Sequence, residues 1–451
     1  MTSSDTIVAI ATAPGRGAVG IVRVSGALVP RLAEAVLGKL PAARRAEFTD
    51  FRDAKGQSLD RGLAVYFPAP ASFTGEHVLE LQGHGGVVVL DLLVRRLLEL
   101  GCRSARPGEF SERAFLNGKM DVAQAEAVAD LIDAGSAAAA RAAVRSLQGE
   151  FSARVHELQA LLTDLRVHVE ARIDFPDEQL ALLQDGVFAP RLQRLFAAFE
   201  ALRAAAYRGA LLRDGLTVVI AGEPNAGKSS LLNALVGDEV AIVTDAAGTT
   251  RDVLRHRLHE DGIPLHLIDT AGLRSAADAI EAEGIRRARL EIARADRVLY
   301  LIDAAAAPAA APATAAELQR IVPQVPVTVV FNKIDLAGLP ARVDAEASPP
   351  RIFLSAKTGD GIGLLRAHLQ TSAGEFPAEG DALAARRRHI DALGRARIHL
   401  EDAAAALGSS EAVELFAEDL RFAQQALGEI TGEFTSDDLL GKIFASFCIG
   451  K

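Results

Sequence analysis

The sequence predicts a multidomain α+β and α/β protein. An N-terminal α+β domain occupies residues 1–118, a helical domain 119–213 and 377–451, and an α/β domain is inserted at 214–376. Three observations carry this reading. Apolar Leu216–Ala221, the loop Gly222-Glu-Pro-Asn-Ala-Gly-Lys-Ser229 and helix-like Ser230–Leu235 follow one another as strand, turn and helix. Strand-type alternation dominates before residue 118. Apolar residues recur at three- and four-residue steps on both sides of the loop. A chain of 451 residues exceeds what one hydrophobic core organises, and about three domains fit it.

In chain order, Thr6–Ala11 and Gly20–Ser25 alternate like strands, as do Leu63–Phe67 and His77–Leu81. Val87–Leu100 reads as a helix stopped by Gly101. Gly15-Arg-Gly17-Ala-Val-Gly20 spells a dinucleotide-type motif, but a strand pattern follows it where a helix is needed, so it reads as a glycine-rich connection. From Lys119 the pattern turns helical, with Leu147, Phe151, Val155, Leu158, Leu162, Leu165 and Val169 on one face. Helical patterning stops near Phe175 and resumes through Arg208. After the inserted domain it returns in Ala382–Leu407, Glu411–Leu427 and a last helix capped by Ser436. The Pro/Ala stretch Ala304–Ala316 reads as a surface loop.

The loop at 222–229 matches G-x-x-x-x-G-K-[ST] between a strand and a helix. Glycines let successive amides face a phosphate, and the helix adds its positive end. Asn225, Ala226, Gly227, Lys228, Ser229 and Ser230 are the expected phosphate-loop residues, with Lys228 on the β- and γ-phosphates and Ser229 on Mg²⁺. Asp269, Thr270, Ala271 and Gly272 end a second strand, where the carboxylate holds Mg²⁺ through water and the Gly272 amide faces the γ-phosphate. Asn332, Lys333 and Asp335 end a third. A carboxylate there accepts both N1–H and N2–H of guanine, a donor pair that adenine lacks. Ser355, Ala356 and Lys357 supply the last loop over the base. Four motifs in this order and spacing are those of a Ras-like G domain that binds GTP. Thr244, Asp245, Ala246, Ala247, Gly248, Thr249 and Thr250 form the expected first switch, Thr250 completing the Mg²⁺ shell. Leu273 stands where Ras-type proteins carry a water-positioning glutamine, so another group must orient the attacking water.

A hydrophobic fraction of 49% with 24% charged residues is that of a globular protein without a membrane span, and the polar N-terminus carries no signal-peptide pattern. Two cysteines, Cys102 and Cys448, argue against a disulfide framework and fit a cytoplasmic location. A net charge of −10 does not advertise nucleic-acid binding by the chain as a whole.

Several segments resemble the tRNA modification GTPases called MnmE or TrmE. They are Asp5–Thr12, Pro14–Gly17, Glu80–Gly86, Arg106–Asn117, Ile173–Glu178, Ile430–Asp438 and the terminal Cys448-Ile-Gly-Lys451. The resemblance covers nearly the whole chain except the Pro/Ala loop. It implies an N-terminal domain that dimerises and binds a 5-formyl- or 5,10-methylene-tetrahydrofolate, with Arg23, Glu80, Lys119 and Lys451 at the folate-contacting positions. It ties Cys448 to the modification chemistry. It also implies that K⁺ serves in place of an arginine finger, ligated by the Asn225 side chain and the carbonyls of Thr244, Ala246 and Thr249, and that Glu281 positions the attacking water. The implied partners are a second copy of the chain, a FAD-dependent protein of the MnmG (GidA) family in a heterotetramer or larger complex, and tRNA. The implied product carries an aminomethyl or carboxymethylaminomethyl group at C5 of the wobble uridine. Taken without the resemblance, Arg23 and Glu80 read as strand residues facing solvent, Lys451 as an exposed end, Cys448 as an inert buried thiol, Glu281 as a solvated glutamate and His84 as structural.

Two other classes were weighed on the residues. A ribosome-assembly switch calls for a basic module after the G domain, where this chain has acidic stretches such as Glu411–Asp419. A scaffold with a dead nucleotide site does not call for Lys228, Ser229, Thr250 and Asp269 together.

Overall fold

The computed structural model describes residues 5–174, 188–222, 225–237, 255–260, 263–269, 295–306, 325–372, 382–406, 412–433, 437–447 and 450. The chain divides into two compact units. One comprises Met1–Asp133, Ala143–Leu202 and Arg388–Lys451, the other Ala134–Ala142 and Arg203–Arg387.

The first unit opens with β1 (Ile7–Ile10), β2 (Gly17–Ser25), α1 (Val29–Leu37), β3 (Glu47–Arg52), β4 (Ser58–Phe67), β5 (Val78–Gly85), α2 (Val87–Glu99) and β6 (Arg103–Ser104). Its sheet runs β3-β4-β5-β2-β1-β6. All pairs are antiparallel except β1–β6. Val22, Val24, Leu79, Leu81 and Phe51 point from the strands into a core closed by Leu32 and Val36 of α1 and by Leu90, Leu93 and Leu97 of α2. The alternation along β2 and β5 is the period-two signature of a sheet with one covered face. One sequence reading is corrected by the sheet register. Gly17–Gly20 is the start of β2 itself, bulged between Gly17 and Gly20, and not a connection. A Cβ on Gly20 would come within 2.7 Å of the Leu90 methyl groups and 3.0 Å of Gly85 Cα, so Leu90 would have to shift to admit a side chain. The short elements α1 and β3 were not anticipated, although Val29, Leu32, Ala33, Val36 and Leu37 of α1 are buried at the three- and four-residue steps that mark a helical face.

The helical part follows as α3 (Glu109–Leu116), α4 (Val122–Ile132), α5 (Ala137–Leu147), α6 (Glu150–Asp174) and α7 (Phe188–Asp214). Asp121 caps α4 in a reciprocal box with Gln124. The expected stripe holds on α6, where Phe151, Val155, Leu158, Leu162, Leu165 and Val169 are all buried. Leu147 belongs instead to α5, because Gly149 at φ +89° breaks the chain between the two helices.

The second unit contains β7 (Leu216–Gly222), α8 (Lys228–Val236), β8 (Arg255–Glu260), β9 (Ile263–Asp269), β10 (Arg297–Asp303), β11 (Val327–Asn332), α9 (Ile334–Ala337), β12 (Arg342–Asp344), β13 (Arg351–Phe353) and α10 (Ile362–Ser372). The sheet order is β12-β13-β11-β10-β7-β9-β8. The five inner strands are parallel and both edges antiparallel. Val218, Ile220 and Leu299 pack on one face, Val219, Val298 and Tyr300 on the other. Strands buried on both faces read as the continuous apolar runs seen in the sequence.

The chain closes with α11 (Arg387–Ala406), α12 (Ala412–Thr431) and α13 (Asp437–Ala445). Helix α11 starts at Arg387, five residues later than the alanine-rich run suggested, because Ala382–Arg386 forms no regular structure. Propensity favours helix for that run, and burial of Leu383 and Ala385 overrides it. Ser436, expected as the last helix cap, lies outside the described residues, as do most of the Pro/Ala stretch and Phe175. Among the described residues no helix is long and apolar enough to cross a membrane.

A buried charge cluster ties α4 to α11 and α12. Glu126 accepts from Arg388 Nε at 2.8 Å and Nη2 at 2.7 Å, and His389 Nε2 lies 2.9 Å from the same carboxylate. Arg388 also donates to the carbonyls of Glu429 and Ile430 at the end of α12. Burial opposes ionisation of Glu126, yet His389 and Arg388 hold its carboxyl well below the usual range. Removing one member leaves the others charged and buried. Glu126→Gln should therefore lower unfolding stability by about 3 kcal/mol. Urea unfolding of the full chain measures this, and an unchanged midpoint would show that the cluster contributes nothing net.

Candidate functional sites

The carboxyl ends of the parallel strands bring the described parts of the four nucleotide motifs to one edge of the second sheet. Strand β7 ends at Gly222, which sits at φ +145° with Leu301 backbone only 2.3 Å from where a Cβ would be, so only glycine allows this approach of β7 to β10. The loop then turns through Asn225 at φ +63° and Gly227 at φ +97° into α8. Lys228 and Ser229 fall on the first turn of α8, where backbone N–H groups lack intrahelical partners. Lys228 Nζ donates to Gly222 O at 3.0 Å, which holds the ammonium at the loop mouth.

Asn332, at the end of β11, joins this loop to the next. Its Nδ2 donates to Ala226 O at 2.8 Å and its Oδ1 accepts from Ala356 N at 2.9 Å. The side chain is buried, so both bonds are shielded from water. Ser355 Oγ donates to Asp335 Oδ1 at 2.7 Å and accepts from Thr358 N, which orients the exposed carboxylate. Lys333 adopts φ +65° and its Nζ lies 2.6 Å from Asp303 Oδ2. Asp269 ends β9, paired in register with Ile220. Thus Asn225, Ala226, Gly227, Lys228, Ser229, Ser230, Asp269, Asn332, Lys333, Asp335, Ser355, Ala356 and Lys357 share one sheet edge. The switch residues Thr244, Asp245, Ala246, Ala247, Gly248, Thr249 and Thr250 lie outside the described residues, as do Thr270, Ala271, Gly272, Leu273 and Glu281. Asp303 was missed in the sequence. The signal for it was a carboxylate ending the apolar run Val298–Ile302, at the same edge as the recognised motifs.

A second constellation lies in the first unit. Arg23 of β2 and Glu80 of β5 are register partners. Arg23 Nε donates to Glu80 Oε1 at 3.0 Å, and Glu80 Oε2 accepts from Gln82 at 3.3 Å. The guanidinium lies 5.7 Å from the Phe73 ring centre and 5.8 Å from that of Phe110. Both side chains are largely covered, at 24% and 16% exposure, so the solvent-facing reading fails for each. The C-terminal tail reaches them. Gly450 O accepts from Arg23 Nη1 at 3.5 Å, and Gly450 packs so closely on β1 that a Cβ would stand 2.3 Å from Ile10 O. Phe444 and Phe447 anchor the last turns among Val122, Ala125 and Phe115. Cys448 and Lys451 lie outside the described residues. Lys119, exposed, runs its stem beside Gly75, two residues from Phe73. It also lines a cavity of about 380 Å³ with His156 and Glu433.

Arg113 frames the Phe73–Glu76 segment from below. It donates to both Glu76 oxygens at 3.1 and 3.0 Å and to Asp5 Oδ1 at 2.8 Å. Against burial, Arg103, the Arg106 amide and Arg113 bring the Glu109 carboxyl down to about 2. His84 pairs with Asp60 at 2.7 Å on the surface, a structural contact at the β4–β5 edge. Burial pushes the Cys102 thiol up to about 12, which makes it inert.

A parallel sheet with a phosphate loop after β7 and Asn-Lys-x-Asp after β11 defines a Ras-like G domain, here carried in a chain with an α+β N-terminal part and a helical part. The family model "GTP-binding protein TrmE N-terminus" matches residues 6–119, and "MnmE helical domain" matches 122–448. The tRNA modification GTPases MnmE of Yersinia pseudotuberculosis serotype IB (strain PB1/+) and Pectobacterium carotovorum subsp. carotovorum (strain PC1) are each 58% identical over 454 residues, covering 100% of both chains. The chain belongs to the tRNA modification GTPase MnmE family. Among solved structures, the G domain of the T. maritima FeoB iron transporter is 26% identical, covering 35% of this chain and 98% of that chain, with a TM-score of 0.28. Aquifex aeolicus Era bound to GDP·AlF4⁻ is 26% identical over 43% of this chain and 68% of that one, with a TM-score of 0.27.

Proposed function

We propose that this GTPase is K⁺-activated and, with a FAD-dependent MnmG (GidA) family partner, installs an aminomethyl or carboxymethylaminomethyl group at C5 of the wobble uridine of certain tRNAs. The support comes from the C-terminal tail, whose Gly450 carbonyl meets Arg23 beside Glu80. A ligand site shared by Arg23, Glu80 and the tail would account for this meeting of a backbone carbonyl with an already paired arginine. In this reading Arg23 and Lys119 take the carboxylates of a tetrahydrofolate tail and Glu80 accepts from the pterin's donor groups, with Lys451 closing the site. These residues fit such a ligand: two cations, a carboxylate already turned toward donors and two aromatic rings within 6 Å of one cation. When bound, 5-formyl- or 5,10-methylene-tetrahydrofolate supplies the one-carbon unit. Cys448 acts in the modification chemistry.

At the other site Lys228 and the loop amides bind phosphate, Ser229 and Thr250 ligate Mg²⁺, and Asp335 accepts from guanine. Asn225, with the carbonyls of Thr244, Ala246 and Thr249, holds K⁺. Glu281 positions water. The division into 1–118, 119–213 with 377–451, and 214–376 belongs to the same reading, as do a homodimer, a heterotetramer or larger complex with the partner, and a cytoplasmic location. The acidic chain, at −10, fits a partner that supplies much of the tRNA-binding surface.

Nucleoside mass spectrometry of tRNA from a strain lacking this chain tests the function. Loss of the modified wobble uridine, restored by the wild-type chain, is expected, and unchanged uridine modification would end the proposal. Arg23→Ala should weaken 5-formyl-tetrahydrofolate binding about tenfold, the value of one hydrogen bond to a charged group, with GTP affinity unchanged. Calorimetry on the full chain measures both, and equal folate affinity would misplace the site.

A further inference from the structure

We propose that Asp303 is a positioning residue of the guanine nucleotide site, acting through Lys333. The inference rests on nucleotide binding at this sheet edge and adds a residue that the four motifs do not contain.

Strands β10 and β11 are parallel neighbours, and their last residues Asp303 and Asn332 are register partners. The two chains stay coupled past the strand ends, where Ala304 N donates to Asn332 O at 2.8 Å. The carboxylate of Asp303 is held both by the turn that follows it, where the Ala305 and Ala306 amides contribute, and by Lys333. Oδ1 accepts from Ala305 N at 3.0 Å, which fixes the turn after β10. Oδ2 meets Lys333 Nζ at 2.6 Å. The lysine hydrogen bond holds the Asp303 carboxyl below the usual range, so it is ionised at neutral pH.

Lys333 is an unusual place for a long side chain. Its backbone is left-handed, at φ +65°, which a lysine adopts only when its surroundings enforce it. The residue lies between Asn332, which holds Ala226 and Ala356, and Asp335, which Ser355 orients. With the backbone fixed at one end and the ammonium tied to Asp303 at the other, the methylene stem is stretched along the carboxyl edge from β11 toward β10. A lysine free to sample its rotamers would have to be ordered when a nucleotide arrives. Asp303 orders it in advance. The pair is three-quarters covered on the carboxylate side and 30% exposed on the lysine side, so it contributes little to global stability and its effect falls on ligand binding.

The test is a double-mutant cycle on the full chain, read by N-methylanthraniloyl-GDP fluorescence, with wild type as the control that the site binds guanine nucleotide. Asp303→Ala should weaken binding about tenfold. Asp303→Asn keeps one acceptor, for the Ala305 amide, and turns an amide NH2, which only donates, toward the ammonium, so it preserves the turn and should weaken binding about as much as Asp303→Ala. Lys333→Met keeps the stem and removes the ammonium. In that background Asp303→Ala should have no further effect, whereas a residue that only supports the turn would cost the same in both backgrounds. Additive losses, or an Asp303→Ala protein that binds like wild type, would overturn the assignment. Failure of the wild-type chain to bind would instead remove the nucleotide site on which the assignment rests.

Discussion

GTP hydrolysis should run roughly 10²- to 10³-fold faster in K⁺ than in Na⁺, and Asn225→Ala should remove most of that difference. The expectation starts from Leu273, an apolar side chain that cannot orient water where Ras-type proteins use glutamine. Some other charge must meet the γ-phosphoryl as it becomes more negative. Asn225 is exposed at the crest of the phosphate loop, at φ +63°, a conformation that asparagine tolerates better than most residues. The residue after it is fixed, since Ala226 O accepts from buried Asn332. A side-chain oxygen next to a backbone carbonyl held in this way is a preorganised ligand, and preorganisation is what makes an electrostatic contact count in the transition state. Loss of Asn225 should act on kcat more than on KM, because the cation matters most where charge develops. Glu281→Ala should likewise slow turnover with little change in GTP affinity. Multiple-turnover assays in matched chloride salts decide this, and equal rates in KCl and NaCl would remove the cation from the mechanism.

The G domain was legible in the sequence because its site is built from strand ends. Each motif follows a buried parallel strand, and such strands are continuous apolar runs bounded by the motif residues. The order of motifs therefore fixed which loops would meet. The N-terminal site was legible only by resemblance. Arg23 and Glu80 are 57 residues apart and meet through antiparallel register, which depends on where β2 bulges. Nothing local in either strand signals that partner. The contact with Gly450 spans 427 residues and is set by Phe444 and Phe447 docking against α3 and α4, a tertiary choice with no sequence period. Helix α11 was placed too early for a related reason. Alanine favours helix locally, but Leu383 and Ala385 are buried outside any helix. Asp303 escaped notice because its partner, Lys333, is also its neighbour on the next strand, so the pair exists only once the parallel register is known.

Cys448→Ser should abolish wobble-uridine modification while leaving GTP binding, K⁺ stimulation and dimerisation intact. The two chemistries are separable because the tail and the phosphate loop belong to different compact units. Residues on both sides of Cys448 are held in place: Phe447 is 5% exposed, and Gly450 is pressed on β1 with Arg23 at its carbonyl. Such anchoring serves a reactive group, which must be delivered to one point, and it also serves a packed thiol that does nothing. Serine distinguishes these cases. It is nearly isosteric with cysteine, so a purely structural thiol should be replaced at a small cost in stability and with modification preserved. A thiol acting as nucleophile or proton carrier has no substitute in a hydroxyl, whose pKa is far higher. Cys102 supplies the internal contrast. Its thiol is buried under α2, with burial alone pushing it up to about 12, and Cys102→Ser should leave modification unaffected provided the chain folds. The measurement is nucleoside mass spectrometry of tRNA from cells carrying only the variant, with melting temperature of the purified chain as the folding control. Normal modification in the Cys448→Ser strain would exclude an essential thiol. Loss of modification with an unshifted melting temperature would leave only a chemical role, since the hydroxyl occupies the same space and only the sulfur's acidity and nucleophilicity have gone.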